Sequence, residues 1–318
     1  MRYKISIIIP IYNVAPYLER CLKSLSVQSC IKDLEFIFVD DGSTDNSYQI
    51  LNSSIERFSF IRDNIKIIRN AKNLGVAYSR KIGILNATAD YIGSCDPDDW
   101  VEANMYEKLF QATENGKNDI VVCNYWRETN ISTEVKFNPS STPQDSLKNS
   151  WKLNYFPVGF PFQIIRKQLL LKSFSVLLPT LHGEDNYTQR LVYYYAKNIQ
   201  FIPDVLYHYD KTVSTSITHS TLYTKQEFSR HVKNINIIEN ITGGGKEYTL
   251  SLAHLKYYRK LQYRSVFKNI REYYCCFSEI YPYINCFLGT QGKYRIVMWI
   301  VYNFYPIYWL RFHKNWSS

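Results

Sequence analysis

The sequence predicts an α/β fold in which a mixed, mostly parallel sheet is flanked by helices, followed by a helical C-terminal extension. Three observations lead there. Over residues 4–125 short β-branched runs alternate with longer stretches of helical period, the pattern of a parallel sheet covered by helices. Acidic and small polar residues stand at the ends of those runs, where open parallel sheets place their ligand crevice. The chain has 318 residues, 46% hydrophobic and 21% charged, enough for one large domain with a smaller appendage and unlike a disordered chain or a disulfide mini-protein.

Taken in order, residues 5–10, 34–40, 65–69, 91–95 and 119–125 read as strands. Between the first two, Pro16 suits a first helical position, and Leu18, Cys21, Leu22 and Leu25 share one face at spacings of three and four. Residues 47–58, 76–87 and 102–115 supply three further helices. After Tyr125 the regularity breaks, and the polar stretch 127–150 reads as a loop or short edge strands. Residues 151–210 form a second mixed region, with an apolar segment over 160–171, a helix over 184–197 and a strand-like run over 199–209. Gly243, Gly244 and Gly245 interrupt the helical spacings beyond it. The expected organisation is a domain over 1–218, built of halves 1–125 and 126–218, and a basic, aromatic-rich helical region over 219–318.

The seven cysteines are scattered and form no Cys-x-x-Cys pair, so neither a zinc site nor a disulfide framework is expected. The longest nearly uninterrupted apolar stretch, residues 296–310, contains Asn303 and Pro306 and falls short of the roughly 20 residues a spanning helix needs. Arg2 and Lys4 precede an apolar run, but no small-residue cleavage site follows, and a cytoplasmic chain is expected. The formal charge is +10, of which residues 219–318, with 14 Lys and Arg against 5 Asp and Glu, hold +9.

The strand ends are acidic. The first ends in Pro10, Ile11, Tyr12 and Asn13, the second in Asp40, Asp41, Gly42 and Ser43, and the fourth in Asp96, Pro97, Asp98 and Asp99. Each could be a turn and helix cap, but their recurrence at adjacent strand ends suits a hard divalent cation shared with substrate phosphates. Arg80, on the helix after Asn73, Leu74 and Gly75, is placed to add positive charge to such phosphates. No Gly-x-Gly-x-x-Gly follows the first strand and no Gly-x-x-x-x-Gly-Lys occurs, which argues against dinucleotide oxidoreductase and P-loop chemistry.

These segments, in this order and spacing, resemble a family 2 glycosyltransferase with the Rossmann-like A-type fold, closely over residues 4–125 and more weakly to about 218. The resemblance implies an inverting, metal-dependent transfer of a hexosyl or N-acetylhexosaminyl group from a nucleotide-diphosphate donor, UDP-linked by preference, to a glycan or lipid-linked glycan hydroxyl. It implies that Pro10 and Tyr12 line the nucleotide pocket, that Asp41 accepts a hydrogen bond from the base, and that Arg80 approaches the diphosphate. Asp96 would contact the ribose or an outer-shell group and Asp98 would bind Mn2+ or Mg2+, with Asp99 the less certain member of the motif. Lys81, where the family often has Asn, and Pro97, inside the acidic motif, depart from its pattern. Asp185, in a Glu-Asp pair opening a helix, would be the catalytic base, although acidic residues at a helix start are also favoured by the macrodipole. The family context implies capsule, exopolysaccharide or lipopolysaccharide assembly. The contrasting expectation is a non-catalytic, membrane-associated module that retains the nucleotide-sugar pocket.

His208, among aromatics, reads first as a packed residue, with phosphate or metal contact as the competing role. Residues 254–318 combine Lys256, Arg259, Lys260 and Arg264 with Tyr257, Tyr258, Tyr263 and Tyr273, and end in Trp299, Tyr302, Tyr305 and Trp309. Such a composition suits an anionic membrane surface, at the inner face of the plasma membrane, as well as it suits helices packed by their aromatics. Nucleic-acid binding ranks third because no recognition module accompanies the charge. Oligomeric state is not legible.

Overall fold

The computed structural model describes residues 3–283 apart from 59, 61, 153, 179, 181, 182, 213–223, 244 and 269. Two compact units emerge, one of Met1–Ser146 with Pro157–Thr221, the other of Leu147–Phe156 with Leu222–Ser318.

The first unit begins with β1 (Ile5–Ile11), α1 (Ala15–Ser26), β2 (Leu34–Asp40), α2 (Ser47–Arg57), β3 (Ile65–Arg69), α3 (Val76–Asn86) and β4 (Tyr91–Ser94). β1 pairs in parallel with β2 and with β4, and β2 with β3. Every residue of β1 and β2 is buried, as expected of central strands covered on both faces. Leu18, Cys21, Leu22 and Leu25 form the inward stripe of α1, and Pro16 stands in its first turn, where a missing N–H leaves no bond unmade.

The sheet then turns mixed. β5 (Trp100–Val101), α4 (Met105–Gln111), β6 (Ile120–Glu128), β7 (Thr133–Val135), α5 (Pro143–Lys148), β8 (Gln163–Arg166), α6 (Lys167–Val176), α7 (Glu184–Tyr195) and β9 (Ile199–Asp210) follow. The strand order is β3-β2-β1-β4-β8-β6-β9-β5, with β7 on β6. β8 runs antiparallel between β4 and β6, and β9 lies parallel to β6. The helix expected over 102–115 is shorter at both ends for local reasons. Trp100 and Val101, just before it, pair with His208 and Tyr207, and the Glu102 N–H still donates to the Leu206 carbonyl at 2.9 Å; at the other end Glu114 and Asn115 take positive φ. The stretch 127–150, read as loop or edge strands, contains β7 and α5.

The second unit contains α8 (Lys225–Ile241), α9 (Thr249–Gln262) and α10 (Ile270–Cys275). Thr224 caps α8 by accepting from the Glu227 N–H. Lys256, Arg259 and Lys260 on α9 are buried together with Tyr257, Tyr263 and Tyr273. Lys256 pairs with Glu239 and Glu279, and Lys260 donates to the Cys276 carbonyl at 2.8 Å. Burial pushes the Lys260 ammonium down to about 8. These cations face neighbours within their own unit rather than lying along an open face. Residues 284–318, including the closing aromatics and the apolar stretch 296–310, lie outside the described residues. Among the described residues no helix is long and apolar enough to cross a membrane.

Candidate active site

The strand order reverses at β1: β2 and β3 lie to one side and β4 to the other, which opens a crevice beyond the carboxyl ends of β1 and β4. Pro10 is buried within β1, one residue before its end, whereas Tyr12 stands beyond it with 37% of its surface exposed. Asn13 takes φ 51°, and its side-chain oxygen accepts from the Thr44 N–H at 2.9 Å, lacing the loop after β1 to the loop after β2.

Asp41 follows β2 and is buried. Its Oδ1 accepts from Asn70 Nδ2 at 2.7 Å and Leu74 N at 3.0 Å, and its Oδ2 from Gly75 N at 2.8 Å. One carboxylate thus fastens the loop leading into α3. Gly42 has φ +71°, and a Cβ there would come within 2.8 Å of the Lys72 backbone, so the two loops meet main chain to main chain.

Arg80 lies on α3, one turn before Gly83, whose absent Cβ would stand 2.5 Å from Ile8 Cγ2 on β1. That close approach seats the helix on the sheet, and Arg80 is only 8% exposed. Its Nη2 donates to Asp96 Oδ1 at 2.7 Å and its Nη1 to Glu184 Oε1, while its guanidinium lies 5.1 Å from the Phe160 ring centre. Nε, buried, has no hydrogen-bond partner among the described residues. Burial opposes the charge of Arg80, but Asp96, Glu184 and Asp185 outweigh it and hold the guanidinium protonated. Burial likewise raises Glu184, with Arg80 acting against the rise.

The acidic turn is built from Asp96 to Asp99, closed by the Asp99 N–H donating to the Asp96 carbonyl at 3.0 Å. Asp99 points away from the crevice: its Oδ2 accepts from the Tyr207 hydroxyl at 2.5 Å and its Oδ1 from the Asp210 N–H at 2.8 Å. Both oxygens are therefore engaged by β9. Asp98 differs. Burial and then the negative charge of Asp96 push its carboxyl up to about 6, Asp210 adding in the same direction. Among the described residues no three His, Cys, Asp or Glu side chains stand together as a ready metal cage.

Asp185 stands in the first turn of α7, which Gly183 opens in the left-handed region at φ 69°; its Oδ1 accepts from the next residue's N–H at 2.8 Å. Arg80 ties this helix start, through Glu184, to Asp96, so the motifs after β4 and at α7 share one site. His208 contacts Glu128 at 2.7 Å and Glu102 at 2.9 Å and stacks on Trp100 at 4.8 Å, a packed position. Three participants were not picked out from sequence: Glu184 as the partner of Arg80, and Tyr207 and Asp210 as the partners of Asp99. The alternation along β9, which sends Tyr207 to the side opposite His208, was the available signal for Tyr207.

The family model for glycosyl transferase family 2 matches residues 6–174. Glycosyltransferase GlyG of Streptococcus pneumoniae is 31% identical over 220 residues, a match covering 64% of this chain and 70% of GlyG. For other curated relatives the matched share of the relative falls as low as 13%, so whole-length activities do not carry over. Among solved structures, S. aureus TarS 1–349 in complex with UDP-GlcNAc superposes with a TM-score of 0.67 at 17% identity, covering 93% of this chain and 86% of that one. The mannosyltransferase PcManGT from Pyrobaculum calidifontis, in complex with GDP-Man and Mn2+, gives 0.55 at 15% identity, covering 97% and 83%. These two likenesses speak to the fold.

Proposed function

The chain belongs to glycosyl transferase family 2 and is a glycosyltransferase, and from that premise we propose that it moves a sugar from a UDP-linked donor, with inversion at the anomeric carbon, to a hydroxyl of a glycan or lipid-linked glycan during cell-surface polysaccharide synthesis. The observation that carries this reading is the Asp96–Arg80–Glu184 bridge, which joins the donor-side turn to the helix start bearing the base. The UDP-GlcNAc bound by TarS supports the donor class.

Tyr12 offers its exposed ring to the base, and Asp41, with three of its roughly four acceptor sites engaged, keeps one for a base N–H. Asp96 contacts the ribose, and Arg80 presents its buried charge to the diphosphate. The donor set fits Mn2+ or Mg2+: such ions take hard oxygen ligands, and one or two carboxylates plus substrate phosphates complete their shell, so no full protein cage is needed. Asp98, crowded by like charge, is the residue that would hold the ion, which when bound would neutralise charge developing on the leaving diphosphate. Asp185 takes the proton of the acceptor hydroxyl as it attacks. If the acceptor is met at the inner face of the plasma membrane, residues other than the buried Lys256, Arg259 and Lys260 make that contact.

The test is release of free nucleotide from a UDP-sugar, with and without Mn2+. Wild type releases UDP in a metal-dependent manner, Asp98→Ala loses metal-dependent donor binding, and Asp185→Ala binds donor while losing turnover by about 10²- to 10⁴-fold. Normal transfer by the Asp185 variant refutes the base assignment, and donor that binds wild type without release points to a non-catalytic module.

A further inference from the structure

We propose that Arg20 is a positioning residue for the acidic turn, acting on Asp98 through its backbone; the inference rests on the metal-dependent reading above. Arg20 lies on α1, far in sequence from the turn, yet its Nη2 donates to the Asp98 carbonyl at 2.7 Å and to Asp210 Oδ2 at 2.6 Å. Its guanidinium also lies 3.9 Å from the Trp100 ring centre. The contact belongs to a row. Ser24, one turn on, accepts from the Val101 N–H at 3.2 Å, and Gln28, a further four residues on, donates to the Glu102 carbonyl at 2.8 Å. Arg20 and Ser24, at i and i+4, fall on one face of α1, and Gln28 follows just past the helix end, so this segment fastens the main chain at 98, 101 and 102 in sequence.

The opposite side of the turn is held from β9. Asp210 joins both clasps: its N–H donates to Asp99 Oδ1 at 2.8 Å and its carboxylate receives Arg20, while its Oδ1 accepts from the Thr212 N–H at 2.8 Å and hydroxyl at 2.6 Å. The Asp98 peptide carbonyl is thereby pinned from α1, as the Asp96 carbonyl is by the Asp99 N–H. A carboxylate so placed meets a cation with its backbone already ordered. Residues that hold a metal ligand from behind change metal affinity by about 10- to 100-fold when removed.

Charge alone predicts the opposite sign, which makes the idea testable. Arg20 is a cation near the site, so through-space repulsion says that deleting it tightens Mn2+ binding; positioning says that deletion weakens it. Mn2+ is titrated against the full chain in the presence of uridine diphosphate and followed by calorimetry, for wild type, Arg20→Ala and Arg20→Lys, with metal-free nucleotide binding and thermal unfolding measured alongside. The expected result is an apparent Mn2+ dissociation constant raised about 10-fold in Arg20→Ala, with metal-free nucleotide affinity unchanged. Arg20→Lys keeps the charge and the fold but not the planar stack on Trp100, and is expected to show a smaller loss in the same direction. Mn2+ affinity equal to or above wild type in both variants overturns the proposal. Wild type that binds uridine diphosphate without any metal dependence instead overturns the metal reading on which it stands.

Discussion

Asp41 and Asp98 are both largely withdrawn from water at the carboxyl ends of parallel strands, yet they live in opposite surroundings. Asp41 receives three N–H donors from the loop between β3 and α3. Asp98 accepts no such set among the described residues: burial first, then the charges of Asp96 and Asp210, with Arg20 only partly offsetting them, push its carboxyl up to about 6. A carboxylate surrounded by donors organises its own fold; one buried beside like charge opposes it.

That contrast can be broken by measurement. The largest effect is expected from Asp98→Asn, which should lower Mn2+-dependent turnover more than about 100-fold. The same variant should unfold at a higher temperature than wild type at pH 7.5 in the presence of chelator. The sign follows from linkage: the native carboxyl holds its proton more tightly than the unfolded one, so ionised Asp98 opposes folding above about pH 6 and ceases to as pH falls towards 4. The gain is therefore up to about 3 kcal/mol at pH 7.5 and none near pH 4. A melting temperature below wild type at pH 7.5 would contradict the crowding. Asp41→Ala should do the reverse, destabilising by about 2–3 kcal/mol because three donors lose a charged acceptor; denaturant unfolding measures it, and an unchanged midpoint would remove Asp41 from the role of fastener. The smallest effect is reserved for Tyr207→Phe, which takes one donor from Asp99 and should cost about 1 kcal/mol, with a weaker fall in turnover than any change at Asp98.

The first half of the sheet was legible because its signals are local. β2 and β3 run as the sequence reading placed them, since β-branched runs bounded by turns need no distant partner to be read. The sequence reading named Asp41, Asp98 and Asp185 but not what surrounds each, because Asn70, Asp210 and Arg80 reach them across long stretches of chain. β5 was missed for a related reason. Two residues carry no periodicity, and only pairing with Tyr207 and His208 makes them a strand. On α9 the basic and aromatic residues gave a true helical period, yet a period does not say whether a lysine faces water or a glutamate. Glu239 and Glu279 answer that for Lys256.

Gly83 shows how far from the chemistry a constraint can sit. Ile8 fills the space a methyl group there would need, and both belong to packed, regular elements that have nowhere to retreat. Adding even an alanine would act as a shim under α3, displacing the guanidinium three residues away from the two carboxylates it spans, so the alignment of Arg80 with Asp96 and Glu184 is set by the thickness of a side chain that is not there.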